Sequence, residues 1–265
     1  MAFQQLSTLA HIAKFNSATS SDFLSDYEKF VDDTILADLK EPSSRYIAPS
    51  GIRCLRAQWF RLRGTLPDSQ FRADRTLNFY AELGTAVHRI VQTNIKNLLG
   101  ADWLSVSDYL NSTELKHSFN ISETDKDSLE TRVEVLDVPI RFACDGMIRY
   151  RGRLYLIEIK TIDYSSFQEL TNIKSVHIPQ IKCYASLLNV HDVLVIYVDR
   201  THGDMKVYEL HISDTDMADV EKSLKTIVEC AEYNIAPDRL PRDDPWCSSS
   251  RCKFYKVCKD GDDKS

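Results

Sequence analysis

Glu158 and Lys160 stand two residues apart in the run LYLIEIKTID (154–163), which otherwise reads as a buried strand. Side chains alternate across a strand, so the two ions project from one face. Burying either charge without a partner costs several kcal/mol. Either the ions satisfy one another at a sheet edge, or they serve a site. Asp145 lies one strand earlier, in FACDGMIRY, and RYRGRL reads as a hairpin turn around Gly152. Pairing around that turn lets Asp145 and Glu158 converge. Two carboxylates and a lysine are what a Mg²⁺- or Mn²⁺-dependent phosphodiesterase requires. Oxygen ligands hold the hard cation, which polarises the phosphate and activates a water. The lysine orients that water or stabilises the charge growing on the phosphate. Spacing alone leaves both readings open, since acids and a lysine at such intervals occur in many sheets.

Further groups gather around this trio. His88 sits in ELGTAVHRI on a helical stretch. Gln180 and Tyr184 lie four apart and share a helix face, with His177 just before them. Of seven cysteines, Cys144, Cys183 and Cys230 read as small buried hydrophobes. Cys54, far upstream, and Cys247, Cys252 and Cys258, near the carboxyl terminus, need another account. Arg53, Arg56, Arg61, Arg63, Arg72 and Arg75 crowd one region, interleaved with Trp59, Phe60 and Phe71. Such a patch lines an approach for phosphates, with Trp59 placed to stack on an unpaired base, or it is a solvated face.

The elements that must position these groups follow from periodicity. Phe23, Tyr27, Phe30, Val31, Ile35 and Leu39 recur at helical spacing over 21–39, and IRCLRAQWFRLRG predicts a short helix closed by Gly64. Residues 76–99 predict a long helix with Leu83, Val87, Ile90 and Val91 on its apolar side. Segment 102–126 has no clear period. From 130 the pattern reads strand, turn, strand, turn, strand. A helix beginning near Pro179, a continuous apolar strand DVLVIYVDR, its return MKVYELHI and an amphipathic helix over 214–233 complete the order. That order implies an α/β fold, a mixed sheet flanked by helices. The tail from Ala236 is rich in proline and cysteine and too polar to dock by burial alone.

Apolar residues make up 43% of the 265 residues, enough for a sizeable core, and the net charge of −6 gives no general affinity for nucleic acid. No run approaches the roughly 18 apolar residues of a membrane span. The amino-terminal stretch lacks the pattern of a secretory signal, so a cytoplasmic protein is expected, where disulfides are rare. There is no G-x₄-G-K-[ST] phosphate loop, so any unwinding would need a partner.

Taken in order, GTAVH, CDG, EIK and QIKCY resemble the RecB-like branch of the PD-(D/E)XK nucleases, and SGIRCLRAQWFRLRG is similar to the stretch that opens that branch. The resemblance spans about residues 48 to 258 and implies a restriction-endonuclease-like core. It also implies that His88, Asp145, Glu158 and the Ile159 carbonyl hold Mg²⁺ or Mn²⁺, that Lys160 is the catalytic lysine, and that Gln180 and Tyr184 help to position DNA and that lysine. In the iron–sulfur subgroup one cysteine precedes the core and three follow it. Cys54, Cys247, Cys252 and Cys258 are thereby expected to hold a [4Fe–4S] cluster, with zinc as the alternative for four thiolates. The C-x₄-C-x₅-C tail departs from that subgroup's usual C-x₂-C-x₅-C.

The expected organisation is a helical extension over 1–47, a nuclease core over 48–235 and a cysteine-rich segment over 236–265 completing the cluster with Cys54. The expected function is a metal-dependent DNA exonuclease of bacterial or phage recombination, replication or repair, acting on single-stranded or duplex ends with a helicase or recombinase partner. A structure-specific endonuclease of the same fold and a catalytically silent DNA-end-binding module are the alternatives.

Overall fold

The computed structural model describes residues 20–35, 45–68, 75–122, 124–125, 129–241 and 243–260. Leu39, Phe71 and Arg72 lie outside them. In chain order the helices are α1 (20–35), α2 (Leu55–Leu62), α3 (Arg75–Leu99), α4 (Val106–Asn111), α5 (Tyr164–Glu169), α6 (Ile178–Leu188), α7 (Asp214–Glu232) and α8 (Tyr255–Asp260). The strands are β1 (Trp103–Leu104), β2 (Phe119–Ile121), β3 (Thr131–Val135), β4 (Arg141–Cys144), β5 (Gly146–Tyr150), β6 (Arg153–Ile162), β7 (Asp192–Asp199) and β8 (Met205–His211).

A five-stranded mixed sheet, ordered β1-β5-β6-β7-β8, and a three-stranded sheet, β2-β3-β4, form the centre of this α/β fold. Among the described strands β6 and β7 run parallel, joined through the α5–α6 crossover, and the other strand pairs are antiparallel. Covered on both faces, these two strands need no polar alternation, which explains their nearly continuous apolar sequence. Leu156, Val193, Val195 and Tyr197 pack with Ile181 and Leu188 of α6 and with Leu224 and Ile227 of α7. Ile157, Ile159, Ile196 and Val198 face the opposite way, toward Val91 of α3 and toward Trp103.

The middle of the three expected strands is in fact two. β4 ends at Cys144, paired with Thr131, whereas β5 begins at Gly146, paired with Ile157. The chain therefore leaves one sheet and enters the other at Asp145. Gly146 makes this possible with φ +135°, and a Cβ there would sit 2.5 Å from the Trp103 ring. No side chain fits that position.

Two expected apolar faces are corrected. Phe23, Tyr27 and Phe30 of α1 are exposed, up to 71% at Phe23, because α1 meets α3 through charge instead. Arg75 reaches Glu28 at 2.7 Å and Asp32 at 3.2 Å. Ile90 also points to solvent, while Val91 carries the packing of α3. The carboxyl-terminal tail docks despite its polarity. Phe254 is buried against Phe60, with ring centroids 5.5 Å apart, and Arg53 pairs with Asp244 at 2.7 Å. Asp68 accepts from the Lys256 and Val257 amides, and its own amide donates to the Lys253 carbonyl.

Candidate active site

β6 runs past its neighbour. β5 pairs with it only as far as Ile157, so from Glu158 to Ile162 it has β7 on one side and no strand on the other among the described residues. Asp145 closes the start of this open edge. Its Oδ2 accepts from the Ile159 amide at 2.6 Å, and its Oδ1 lies 2.8 Å from His88 Nδ1. The buried Gln92 amide nitrogen donates to the Asp145 carbonyl at 2.7 Å, fixing the switch point against α3.

Register explains which acids gather here. Gly146 pairs with Ile157, so continuing that ladder sets Asp145 opposite Glu158. Thr131 pairs with Cys144, so continuing the other ladder sets Glu130 opposite Asp145. One carboxylate thus stands between two others, one from each sheet. His88, Glu130 and Asp145 bring ligand atoms within 4.8 Å of one another, a group that could hold a metal ion. Glu158 belongs to the same neighbourhood but is engaged by Lys160 at 2.6 Å. Of the expected set of His88, Asp145, Glu158 and the Ile159 carbonyl, His88 and Asp145 fall in this group, together with Glu130, whose only sequence signal was an acid directly before a strand.

Crowding and burial set the charges. Burial, with the Asp145 charge adding to it and Lys160 opposing it, pushes Glu158 up to about 7. Burial and the same Asp145 charge raise Glu130. Burial disfavours a charge on His88, but the hydrogen bond and charge of Asp145, with Glu158 beyond, outweigh it and raise its pKa. Three carboxylates held together at this cost are what a divalent cation relieves, and two or three oxygens with one imidazole suit Mg²⁺ or Mn²⁺.

Lys160 is positioned from α6. Its Nζ donates to Gln180 Oε1 at 2.9 Å, and the Gln180 amide nitrogen donates to the Tyr184 hydroxyl at 3.1 Å. His177, at the start of α6, lies 2.8 Å from the Tyr197 hydroxyl. Burial, with Lys160 and Lys174 nearby, lowers it to about 4 and keeps it neutral.

The four cysteines set apart in the sequence come together. Cys54, Cys247, Cys252 and Cys258 line one cavity of about 640 Å³, bordered by Arg53, Arg56, Arg239 and Lys253. Burial raises Cys54, Cys252 and Cys258, and thiolate repulsion within the group adds to it. Cys144 and Cys183 are buried in the core, as small hydrophobes are. Cys230 is only half-buried, beside the Trp59–Phe60–Phe254 cluster.

The arginine-rich stretch has internal partners. Arg53 pairs with Asp244, Arg56 donates to the Pro237 carbonyl, Arg61 to the Tyr46 carbonyl and Arg63 to Asn234. Trp59 is buried, donates to the Cys230 carbonyl at 3.0 Å, and lies under Arg63. Its ring packs the joint between α2 and α7 and is not set out for a base.

Among the described residues no helix is long and apolar enough to cross a membrane. No family model and no curated protein matches the chain. Solved structures similar to it include one titled SSO0001, at 18% identity and TM-score 0.41, covering 89% of this chain and 97% of that one. An alkaline exonuclease from Laribacter hongkongensis is similar at 10% identity and TM-score 0.37, covering 72% of this chain and 90% of that one. The complex of that exonuclease with dAMP is similar at 11% identity and TM-score 0.36, covering 76% and 92%.

Proposed function

We propose that the protein is a metal-dependent deoxyribonuclease of the PD-(D/E)XK type, RecB/AddB-like, that hydrolyses DNA from its ends. The observation that carries this reading is the placement of Asp145 at the sheet switch, between Glu130 and Glu158 and 2.8 Å from His88. A purely structural ion pair needs one acid for Lys160, and the site holds three. Asp145, Glu158, Glu130 and His88, with the Ile159 carbonyl, would hold Mg²⁺ or Mn²⁺. That ion supplies Lewis-acid activation of the phosphate and of a water.

The chain's own residues do the rest. Glu158 and Gln180 hold the Lys160 ammonium at 2.6 and 2.9 Å, beside the open edge of β6. A phosphate lying along that edge meets a positive charge already oriented toward the oxygens that gain charge in the transition state, so little reorganisation is needed. Tyr184, through Gln180, keeps that ammonium from swinging away.

In the same reading Cys54, Cys247, Cys252 and Cys258 hold a [4Fe–4S] cluster. Four cysteines lining one cavity support it, because four thiol ligands brought to one place are the set such a cluster takes. DNA is the substrate, and a helicase or recombinase would supply unwound ends.

The test is direct. Purified protein with Mg²⁺ or Mn²⁺ should degrade linear DNA and leave closed circular DNA intact. Cutting of both would mark an endonuclease, and binding of ends without cutting would mark a silent module. Freshly purified protein should be brown, with broad absorption near about 400 nm. Replacing any of the four cysteines should bleach it, whereas colourless protein with one equivalent of zinc would replace the cluster by zinc.

A further inference from the structure

Tyr80, Gly84 and His88 recur at four-residue intervals and so form one row on α3. Each marks a step outward from the metal-ligating group. His88 touches Asp145, Gly84 lies over Thr161 of β6, and Tyr80 carries the Arg200 guanidinium 4.0 Å from its ring centroid. Arg200 follows β7 directly, and its amide donates to the Ile162 carbonyl at 3.0 Å, where the open edge of β6 ends.

We propose that Tyr80 and Arg200 form a stacking platform for an unpaired base of the DNA strand entering the site, which makes single-stranded ends the preferred substrate. This deepens the nuclease reading and rests on it. From Tyr80 to His88 is eight residues, about 12 Å at ~1.5 Å per residue. A strand stacked at ~3.4 Å per nucleotide crosses that span in about four nucleotides, and an extended one in fewer.

Three further features fit this ligand. Tyr80 keeps 41% of its surface exposed, and Phe79 and Tyr164 beside this end of the sheet are exposed as well. None of the three belongs to a core cluster; Tyr164 meets the His202 ring edge-on at 4.7 Å, and Phe79 lies 6.0 Å from the Tyr80 ring. Arg200 acts on the Asp163 carboxylate only through its charge, and its guanidinium lies on the Tyr80 ring, where a base or a phosphate can meet it. Gly84 is not demanded by close packing either. A methyl there would meet the Thr161 hydroxyl at an ordinary 3.5 Å, yet its absence keeps the space between platform and metal group bare. Aromatic rings bind any base through its π-face, and arginine adds a cation–π contact. A base inside a duplex has both faces covered by its neighbours, so the platform selects unpaired ends.

Fluorescence anisotropy in EDTA tests the platform, using fluorescein-labelled oligothymidylate and a blunt duplex. Tyr80→Ala should weaken oligothymidylate binding about tenfold, leave blunt-duplex binding unchanged and keep the melting temperature. Tyr80→Phe should bind as the parent does. Arg200→Ala should weaken the same oligonucleotide and flatten its salt dependence. An abasic site scanned across the nucleotides nearest the cut should, at one position, weaken the parent while leaving Tyr80→Ala no weaker than before. Equal loss on single strand and duplex, or no loss in Tyr80→Ala and Arg200→Ala, overturns the platform while parental cleavage leaves the nuclease reading standing. A parent that neither binds nor cuts DNA overturns both.

Discussion

The Asp145 carboxylate accepts the Ile159 amide at 2.6 Å, so a side chain takes the place that a neighbouring strand would fill. The same carboxylate reaches His88 with its other oxygen. One residue therefore ends a ladder, anchors α3 and, in the proposed reading, offers lone pairs to a cation. Its structural and chemical roles can be separated by removing only the charge.

Asp145→Asn keeps an oxygen for the Ile159 amide and removes the negative charge. Metal-dependent cleavage should fall by about a thousandfold or more, on the scale of several kcal/mol of charge stabilisation. Metal-free melting temperature should not fall, because repulsion with Glu130 and Glu158 is relieved. A variant that still cuts at near-parental rate would remove Asp145 from the metal site.

Lys160→Ala should lower turnover about a hundredfold or more while sparing DNA affinity, because its ammonium acts on charge that appears only in the transition state. Gln180→Ala, which frees the ammonium without removing it, should cost less. Steady-state kinetics separates the two, and an equal rise in KM with kcat unchanged would make Lys160 a binding residue.

Glu130→Ala and His88→Ala should each raise the Mn²⁺ or Mg²⁺ concentration needed for half-maximal cleavage. The His88 variant should also shift preference away from Mn²⁺, since imidazole is the softer donor. If Glu130 only shapes the loop before β3, its replacement will lower the melting temperature and leave the metal titration where it was.

Glu158 makes the site sensitive to pH. Its folded value of about 7 lies above the ordinary 4.5, so the folded metal-free protein holds a proton that the unfolded chain has released. Metal-free stability should therefore decline as pH rises from about 4.5 to about 7, and level off above. Apparent metal affinity should climb over the same window, because the cation must displace that proton. Glu158→Gln should flatten the stability curve in urea melts between those pH values.

Much of the candidate site was legible because each of its residues carries a local signature. Glu158 and Lys160 break an apolar strand, and Gln180 and Tyr184 keep helical spacing, which structure brings to one chain of hydrogen bonds. Glu130 was not legible. Its place depends on the register between β3 and β4, which long-range pairing sets and local sequence does not reveal. The break at Asp145 was hidden for a related reason, since FACDGMIRY has one continuous strand pattern and only the Trp103 ring against Gly146 shows why it splits. Trp59 misled through composition: an aromatic among arginines resembles a nucleic-acid surface, yet here it is buried beneath one of them. The tail deceived in the opposite way, because Phe254, with Ala236, Cys252 and Cys258 beside it, supplies an apolar contact that its average polarity conceals.

The joint between α2 and the tail also has a history during synthesis. Arg53 and Asp244 are 191 residues apart in sequence. At ~5–20 residues per second on the ribosome, α2 emerges about 10 to 40 s before its partner exists. Throughout that interval Trp59 and Phe60 lack the Phe254 ring that later covers them. The nascent chain thus carries an aromatic patch that stays open until the segment around Phe254 has been made.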